Sequence, residues 1–384
     1  MKPIPYGRHD IIQTDIDAVV KVLKSDLLTQ GPEIINFEEA FASYIGSKYA
    51  VAVSNGTAAL HLCVLALDLE MNQKVITTPI TFVASANCIK YAGGDVVFAD
   101  IDPETYLLDI EKVEDLLKSS PAGTYKGLIP VDFAGRAIDM EAFRNLADSY
   151  GCWIIEDACH APGGYFKNSI NENQFCGNGK YADLSIFSFH PVKHIAAGEG
   201  GMITTNDEDL YKKLLSLRTH GITKEKSHVG DSHGGWYYEM QGLGFNYRLT
   251  DFQAALGSSQ LNRAPEGIAI RRAIAARYDR AFTNKDYIKS HSGVEEGHAY
   301  HLYVIEVNDR KGLYEYLRVK NILTQVHYIP VHLMPYYRQY GWKEGDFVHA
   351  ENYYQQSLSL PMYPTLTYVE QKFVIDSINE YFSS

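Results

Sequence analysis

The sequence predicts an α/β fold, with a mostly parallel central sheet, helices on both faces and a smaller α+β unit after it. From residue 74 to 157, short runs rich in Val and Ile alternate with helical segments of ten or more residues, which is typical of parallel strands joined by crossover helices. A chain of 384 residues also exceeds the size of one hydrophobic core. We therefore expect two domains, residues 1–260 and 261–384.

The composition is that of an ordinary globular protein, with 46% hydrophobic and 21% charged residues. A net charge of −12 argues against a nucleic-acid partner, because phosphate neutralisation needs a basic surface. No run approaches 18 apolar residues, so no membrane span is expected. The five cysteines lack metal-type spacing, which predicts free thiols, a cytoplasmic location and no metal site.

Two helices are predicted near the N-terminus. In the first, Ile16, Val20 and Leu23 recur at helical spacing, with Val19 beside them, after Thr14 and Asp15 as candidate caps. The second covers about 32–45 and ends at Gly46.

The next segment combines a strand, a turn and a helix. Ala50–Val53 is predicted as a buried strand, Ser54–Thr57 as its turn and Ala58–Leu67 as a helix. This arrangement directs free N–H groups and a positive helix end to whatever lies over Gly56 and Thr57, and phosphate fits such a site. An ordinary capped helix remains the alternative, because a short Asn-Gly-Thr turn is not a specific phosphate motif.

The following β and α segments are predicted at these bounds: strands Val75–Thr78, Val96–Ala99, Leu128–Val131 and Trp153–Glu156, with helices about 82–92, 109–118 and 139–150. The binding site is expected at the carboxyl ends of the strands. Phe82 opens the first of these helices, and its ring packs either in the core or on a flat cofactor.

Two candidate catalytic residues follow successive strands. Asp157 ends the hydrophobic run Cys152–Glu156, and Lys193 lies in a turn after the strand Asp183–Phe189, before the glycine-rich exit at 198–201. A carboxylate that keeps a pyridinium nitrogen protonated and a lysine that forms an imine are what pyridoxal chemistry requires. Without further context, an acid at such a strand end is more often a helix N-cap, so this alternative remains for Asp157.

The rest of the chain is predicted as follows: a strand Gly201–Thr205, a helix about 207–217, a long functional loop 222–243, a helix from Asp251, a long polar-faced helix beyond the domain boundary, a strand Leu302–Val307, a helix about 309–319, a strand Thr324–Tyr328 and a helix about 366–382. No G-x-G-x-x-G follows the first strand, which argues against a dinucleotide-binding module.

The segment SFHPVKHIAAGEGG resembles the Schiff-base lysine segment of the DegT/StrS-type sugar aminotransferases, which depend on pyridoxal 5′-phosphate (PLP). The resemblance extends from IPYGRHD to QVHYIPVH and implies a fold type I architecture and a homodimer with shared active sites. It places the cofactor-binding positions at Gly56, Thr57, Phe82, Asp157, His160, Ser188, Lys193 and Asn246. In this arrangement Lys193 forms the Schiff base, His160 lies beside the 3-hydroxyl of the cofactor and Asn246 reaches the neighbouring subunit's site. It places substrate contacts at Tyr6, Asp26, Leu27, Leu28, Thr29, Arg248, His327 and Tyr328.

The chain departs from the family pattern at two places. The segment Phe166–Lys180 is longer than the hairpin that the family has there, and Ala196-Ala197 stands where many members have Thr-Thr. The first departure is expected to alter a surface loop. The second lies close to Lys193, so the hydrogen bonds around that lysine are expected to differ from the family pattern.

The resemblance implies a transaminase that takes an amino group from L-glutamate. Within the family, the branch that aminates a UDP-linked 4-keto-6-deoxy-N-acetylhexosamine for pseudaminic acid is the most similar. Aminotransferases for 4-keto-pentose, perosamine-type or 3-keto nucleotide sugars remain alternatives, and a non-catalytic PLP-binding regulatory protein is the alternative from another class. A dehydratase is disfavoured, because that branch replaces the lysine with histidine and here Lys193 is present.

Overall fold

A computed structural model describes residues 2–224, 234–293 and 295–383. Numbered in chain order, its helices are α1 Gln13–Leu23, α2 Pro32–Ile45, α3 Gly56–Ala66, α4 Ala84–Tyr91, α5 Ile110–Lys118, α6 Met140–Tyr150, α7 Glu208–Arg218, α8 Asp251–Leu261, α9 Ala264–Phe282, α10 Arg310–Val319, α11 Pro335–Arg338, α12 Val348–Gln356 and α13 Tyr368–Ser383. Its strands are β1 Ile4–Pro5, β2 Tyr49–Val53, β3 Lys74–Thr77, β4 Asp95–Phe98, β5 Tyr125–Ile129, β6 Trp153–Asp157, β7 Tyr165–Lys167, β8 Asn173–Phe175, β9 Leu184–Ser188, β10 Gly201–Thr205, β11 Ile222–Thr223, β12 Glu239–Met240, β13 Ile288–His291, β14 Tyr303–Val307, β15 Ile322–Leu323 and β16 Ser357–Leu360.

The central sheet has seven strands in the order β2-β10-β9-β6-β5-β3-β4. Strands β4, β3, β5, β6 and β9 pair in parallel, whereas β10 runs antiparallel to both of its neighbours, β2 and β9. The predicted mostly parallel sheet is therefore present. The carboxyl ends of six strands meet at one edge, where a binding site is expected.

Helices cover both faces of this sheet because its strands are apolar on both sides. In β2, Val51 and Val53 pack in the cluster that contains Leu60 of α3, whereas Ala52 packs in the cluster that contains Phe41 of α2. Side chains alternate between the faces of a strand, so one short run of apolar residues contributes to two hydrophobic layers.

A second, antiparallel sheet, β13-β14-β16, packs with α9, α10 and α13 around a separate hydrophobic cluster. The N-terminal strand β1 joins this part of the molecule by pairing in parallel with β15. The predicted domain boundary, 260/261, falls at the end of α8 (Asp251–Leu261), just before α9.

Several of the sequence predictions are wrong in detail, and one of the predicted strands, Leu128–Val131, lies instead at Tyr125–Ile129. The predicted strand Thr324–Tyr328 is irregular: regular pairing ends at Leu323, and only an isolated bridge between Gln325 and Ser359 follows. Helix α1 starts after Ile12, so Asp15 lies inside its first turn, where its carboxylate accepts the Ile12 N–H. Apart from the hairpin β7-β8, which the family resemblance implies, the elements that were not predicted are short, namely β1, β11, β12, β13, β15, α11, α12 and β16.

The predicted loop 222–243 begins and ends in a short antiparallel pair, β11 with β12, and its residues 225–233 lie outside the described part of the chain. Among the described residues, no helix combines the length and the apolar character needed to cross a membrane.

Candidate active site

A cavity of about 910 Å³ opens at the carboxyl edge of the central sheet. It lies where the parallel strands β3, β6 and β9 end, between the large sheet and the irregular segment that follows β15. Of the predicted site residues, ten line it: Tyr6, Gly56, Thr57, Phe82, Asp157, His160, Ser188, Lys193, His327 and Tyr328. The fold thus brings together residues that are separated by up to 322 positions in sequence.

At one end of the cavity, the N-terminus of α3 provides an anion site. Asn55 caps the helix, with its side-chain oxygen accepting the Ala58 N–H at 2.8 Å. Within the described residues, the N–H groups of Gly56 and Thr57 have no hydrogen-bond acceptor. Because the helix end is positive and these donors are free, the turn is suited to a phosphate group, as predicted.

The backbone around this turn is packed too closely for larger residues. A Cβ at Gly56 would lie 3.1 Å from the Cβ of Ser188, and one at Gly201 would lie 2.6 Å from the Asn55 carbonyl. The ends of β2, β9 and β10 therefore converge on the Asn55–Thr57 turn, and Ser188 is held beside it.

At the floor of the cavity, Asp157 is the last residue of β6 and is 6% exposed. One carboxylate oxygen accepts the Cys159 N–H at 3.2 Å, and the other accepts the hydroxyl of Ser85 at 2.7 Å. Ser85 is fully buried and in turn lies 2.8 Å from the hydroxyl of Thr81. These donors hold the buried carboxylate in one orientation, and because the element that follows Asp157 is the strand β7, it does not cap a helix.

Lys193 follows β9 in a turn closed by its own N–H, which donates to the His190 carbonyl at 2.8 Å. Burial lowers the pKa of its ammonium group, while the nearby Cys159 and Asp157 act in the opposite direction. A lysine with a lowered pKa is more often present as the free amine, the form that attacks a carbonyl.

Aromatic side chains form the wall above the floor. Phe82 is 57% exposed and lines the cavity, which excludes core packing of its ring, whereas stacking on a flat cofactor stays a prediction. The helix that it was predicted to open begins two residues later, at Ala84. The Phe82 ring centroid lies 6.3 Å from that of Tyr328.

The histidines of the site are buried and neutral. Burial, reinforced by the charge of Lys193, lowers the pKa of His160 well below its ordinary value and lowers that of His327 to about 3. His160 accepts the Ala134 N–H through Nδ1, and its Nε2 lies 3.3 Å from the hydroxyl of Tyr328. His327 is held by the Ser359 hydroxyl at 2.8 Å from its Nδ1.

Six predicted site residues lie outside this cavity in the single subunit: Asp26, Leu27, Leu28, Thr29, Asn246 and Arg248. The two segments that carry them are neighbours, because Thr29 forms an isolated bridge with Thr250. Asp26–Thr29 and Asn246 are exposed to solvent.

The sequence analysis missed several residues at the site. Ser85 and Thr81 support Asp157, Cys159 lines the floor, and His61, Tyr91 and Tyr247 line the side next to α3. For Ser85 a signal exists: a small hydroxyl residue in the first turn of a helix that begins at the sheet edge. The others carry no motif and become visible only through the fold.

Comparisons with known proteins agree with this site. The model of the DegT/DnrJ/EryC1/StrS aminotransferase family matches residues 9–379. The spore coat polysaccharide biosynthesis protein SpsC of Bacillus subtilis is 38% identical over 98% of this chain and 96% of its own. The UDP-4-amino-4,6-dideoxy-N-acetyl-beta-L-altrosamine transaminase of Campylobacter jejuni is 36% identical over the same shares.

Solved structures show the same architecture. Helicobacter pylori PseC, an aminotransferase involved in the biosynthesis of pseudaminic acid, superposes with a TM-score of 0.89 at 31% identity, and each chain is covered in full. The PLP form of the putative sugar aminotransferase Spr1654 of Streptococcus pneumoniae gives 0.88 at 26% identity and covers 98% of each chain. The expected α/β, fold type I architecture is confirmed. The chain belongs to the DegT/DnrJ/EryC1/StrS aminotransferase family and is an enzyme of that class.

Proposed function

We propose that this enzyme uses PLP to transfer an amino group from L-glutamate to C4 of a UDP-linked 4-keto-6-deoxy-N-acetylhexosamine, a step of pseudaminic acid biosynthesis. One observation carries the proposal. A single cavity joins an amine with a lowered pKa, Lys193, a buried carboxylate, Asp157, and a helix N-terminus with free N–H groups at Gly56 and Thr57.

The cavity has a separate feature for each part of PLP. The N–H groups of Gly56 and Thr57, with the Ser188 hydroxyl, would bind the phosphate. Asp157 would face the pyridine nitrogen, and the exposed ring of Phe82 would lie on a face of the cofactor ring. Bound PLP supplies an acceptor for the electron pair that is left when Cα of the amino donor loses its proton.

The chain's own residues then have defined tasks. Lys193 would carry the covalent Schiff-base attachment and, once released, move the proton as a general acid and base, for which a pKa below the ordinary lysine value is needed. Asp157 would hold the positive charge on the ring nitrogen. The hydroxyl of Ser85 keeps the carboxylate oriented for that contact.

We propose a homodimer in which each subunit completes its partner's site. The apolar side chains of α1 that recur at helical spacing are exposed, namely Ile16 at 46%, Val20 at 37% and Leu23 at 56%. Exposed apolar surface of this kind is typical of subunit interfaces. The exposed segments that carry Asp26–Thr29, Asn246 and Arg248 would reach the neighbouring cavity, with Asn246 at the phosphate.

Charge also favours this arrangement. Among the described residues that line the cavity, Lys193 is the one lysine or arginine, and Arg8 lines a smaller pocket that shares Lys193 with the cavity. Two nucleotide phosphates entering a protein of net charge −12 need further cations, and the partner's Arg248 is the proposed source.

We also propose that the chain is divided into domains 1–260 and 261–384 and that the enzyme is located in the cytoplasm.

The substrate proposal rests on the relatives named above and on one physical argument. A 6-deoxy sugar presents a methyl group, for which Leu27 and Leu28 of the partner would form an apolar wall, whereas a hydroxymethyl group would lose hydrogen bonds there. The similarity to SpsC favours a second candidate, an aminotransferase for another keto sugar of a surface polysaccharide.

The test is a comparison of substrates with purified enzyme loaded with PLP. L-Glutamate should convert the cofactor to its amino form, and a panel of UDP-, GDP- and dTDP-linked keto sugars should then be aminated, with products identified by mass spectrometry. We expect the UDP-linked 6-deoxy sugar to have the highest kcat/KM, by about 10–200-fold over its pentose counterpart. A higher value for a pentose or a GDP-sugar would contradict the substrate, and no amination of any sugar would contradict the activity itself.

A further inference from the structure

His160 and Tyr328 form a hydrogen-bonded pair in the wall of the cavity, and the position of the proton on His160 decides which of the two donates in that hydrogen bond. Both residues line the cavity. His160 is 5% exposed, so its hydrogen bonds are made within the protein. Two of them are defined: Nδ1 lies 3.2 Å from the Ala134 N, and Nε2 lies 3.3 Å from the Tyr328 hydroxyl oxygen.

The bond from Ala134 determines the tautomer of His160. A backbone N–H can only donate, so Nδ1 must be the acceptor and carries no proton. The ring is neutral, because burial and the charge of Lys193 lower the pKa of His160 well below its ordinary value. A neutral imidazole carries one proton, which is therefore on Nε2.

The direction of the second bond follows. With its proton on Nε2, His160 donates to the Tyr328 oxygen, and the phenol is the acceptor of that bond. Burial raises the pKa of Tyr328 far above its ordinary value, so the phenol keeps its proton. Within the described residues, that proton has no acceptor, although the side chain lines the cavity.

We propose that the Tyr328 hydroxyl donates a hydrogen bond to an oxygen of the molecule bound in the cavity, and that His160 is the positioning residue that aims it. This inference rests on the proposed function and changes one expectation within it. The family resemblance places His160 itself beside the 3-hydroxyl of PLP, whereas here the Nε2 proton of His160 is directed to Tyr328, and Tyr328 presents the free donor.

Two molecules offer an acceptor oxygen close to the reacting atoms. One is PLP, through its 3-oxygen, and the other is the keto sugar, through its C4 carbonyl. Tyr328→Phe removes the donor and keeps the ring. If the acceptor is on PLP, the pH titration of the absorbance of the lysine-bound cofactor shifts. If it is on the sugar, that titration stays, and the keto-sugar half-reaction slows about 10-fold or more while the L-glutamate half-reaction is unchanged.

Either result supports hydrogen-bond donation by the Tyr328 hydroxyl. If Tyr328→Phe changes none of these measurements, the proposal is overturned. Tyr368→Phe is the matched control, since Tyr368 is 65% exposed and does not line the cavity. A wild-type enzyme without any half-reaction contradicts the proposed function and leaves the absorbance titration as an independent test of Tyr328.

Two substitutions separate the two bonds of His160. His160→Gln places an amide N–H near the position of Nε2 and can still donate to Tyr328. His160→Asn places its amide near the position of Nδ1 and leaves Tyr328 without a hydrogen-bond donor. We expect the Gln variant to keep most of the wild-type absorbance titration and turnover, and the Asn variant to follow Tyr328→Phe. Equal behaviour of the two variants overturns the positioning role.

A direct readout of the tautomer needs no turnover. In a two-bond ¹H–¹⁵N spectrum of the ¹⁵N-histidine-labelled holoenzyme, the pattern that disappears in His160→Gln belongs to His160. A proton on Nε2 alone is the expected pattern. A proton on Nδ1, or on both nitrogens at neutral pH, overturns the proposal.

Discussion

The hydroxyl of Ser85 lies 2.7 Å from a carboxylate oxygen of Asp157, and both side chains are buried, Asp157 at the floor of the cavity and Ser85 behind it. A hydrogen bond to a charged acceptor contributes about 1.5–3 kcal/mol. Ser85→Ala should therefore lower kcat by about 10–100-fold while the enzyme still binds PLP. The measurement is steady-state turnover with cofactor content from absorbance. Ser85→Thr, which keeps the hydroxyl, is the control, and wild-type turnover in Ser85→Ala would show that Asp157 needs no such support.

For Lys193, the prediction concerns covalent attachment. Borohydride reduction of the PLP-loaded protein should fix the cofactor to this residue, because its amine lies in the cavity and its pKa is lowered. Peptide mapping by mass spectrometry locates the label, and Lys193→Ala should carry none. A label on any other lysine would overturn the assignment.

Replacing Asp157 separates its proposed role from a structural one. Asp157→Asn should retain PLP but lose about 10³-fold in kcat, since an amide cannot hold the pyridinium proton and each ~1.4 kcal/mol is tenfold. The cofactor content measures how much PLP the variant retains, and single-turnover rates with L-glutamate measure its loss of activity. Turnover within a few-fold of wild type would reduce Asp157 to a structural residue.

The shared site is tested by mixing inactive subunits. Lys193→Ala and Asn246→Ala proteins should each be poor enzymes, whereas a 1:1 mixture should recover about a quarter of wild-type activity, because half of the dimers are hybrids and one of their two sites is intact. Mass spectrometry of intact dimers confirms exchange. Exchange without recovery would place Asn246 outside the partner's site.

Acid should destabilise the enzyme through its buried histidines. Burial lowers the pKa of His160, His194, His298, His301 and His327, and that of His327 falls from 6.5 to about 3. Below pH 6.5 the unfolded chain binds protons that the folded chain does not, so the free energy of unfolding should be highest above pH 6.5 and fall by about 1.4 kcal/mol per pH unit for each such histidine. Urea unfolding of the holoenzyme between pH 8 and 5 measures this slope.

A single variant checks the cause of that slope. His327→Gln should reduce it by the contribution of one histidine, whereas His9→Gln, at an exposed position, should leave it unchanged. A flat profile in the wild-type enzyme would contradict the neutral state of these rings.

The sequence predicted the floor of the site better than its walls. Asp157, Lys193 and the Asn55–Thr57 turn follow strands with strong apolar patterns, and strand ends of a parallel sheet must converge. Ser85 and Cys159 were missed because their roles depend on neighbours that are distant in sequence. The segment Thr324–Tyr328 was predicted as a strand because its residues favour extended structure, but beyond Leu323 it pairs with a neighbour at Gln325 alone.

The outward-facing residues of α1 illustrate the remaining difficulty. Their helical spacing was detected correctly, yet the pattern alone cannot distinguish a face that packs on the same chain from one that packs on another copy. Asp15, at 0% exposure, is the buried polar residue of this helix, and its carboxylate is held by Gln260 and Arg263, an arrangement that no local pattern indicates.

The pairing of β1 with β15 has a mechanical consequence. Ile4 aligns with Ile322 and Pro5 with Leu323, so Tyr6 and the segment His327–Tyr328 are attached to opposite strands of one small ribbon. The ring centroids of Tyr6 and His327 also lie 5.1 Å apart, so pairing and ring contact both hold these two pieces of the wall together. Residues added directly before Ile4 would therefore extend from the wall side of the cavity, whereas the floor that carries Lys193 belongs to the central sheet.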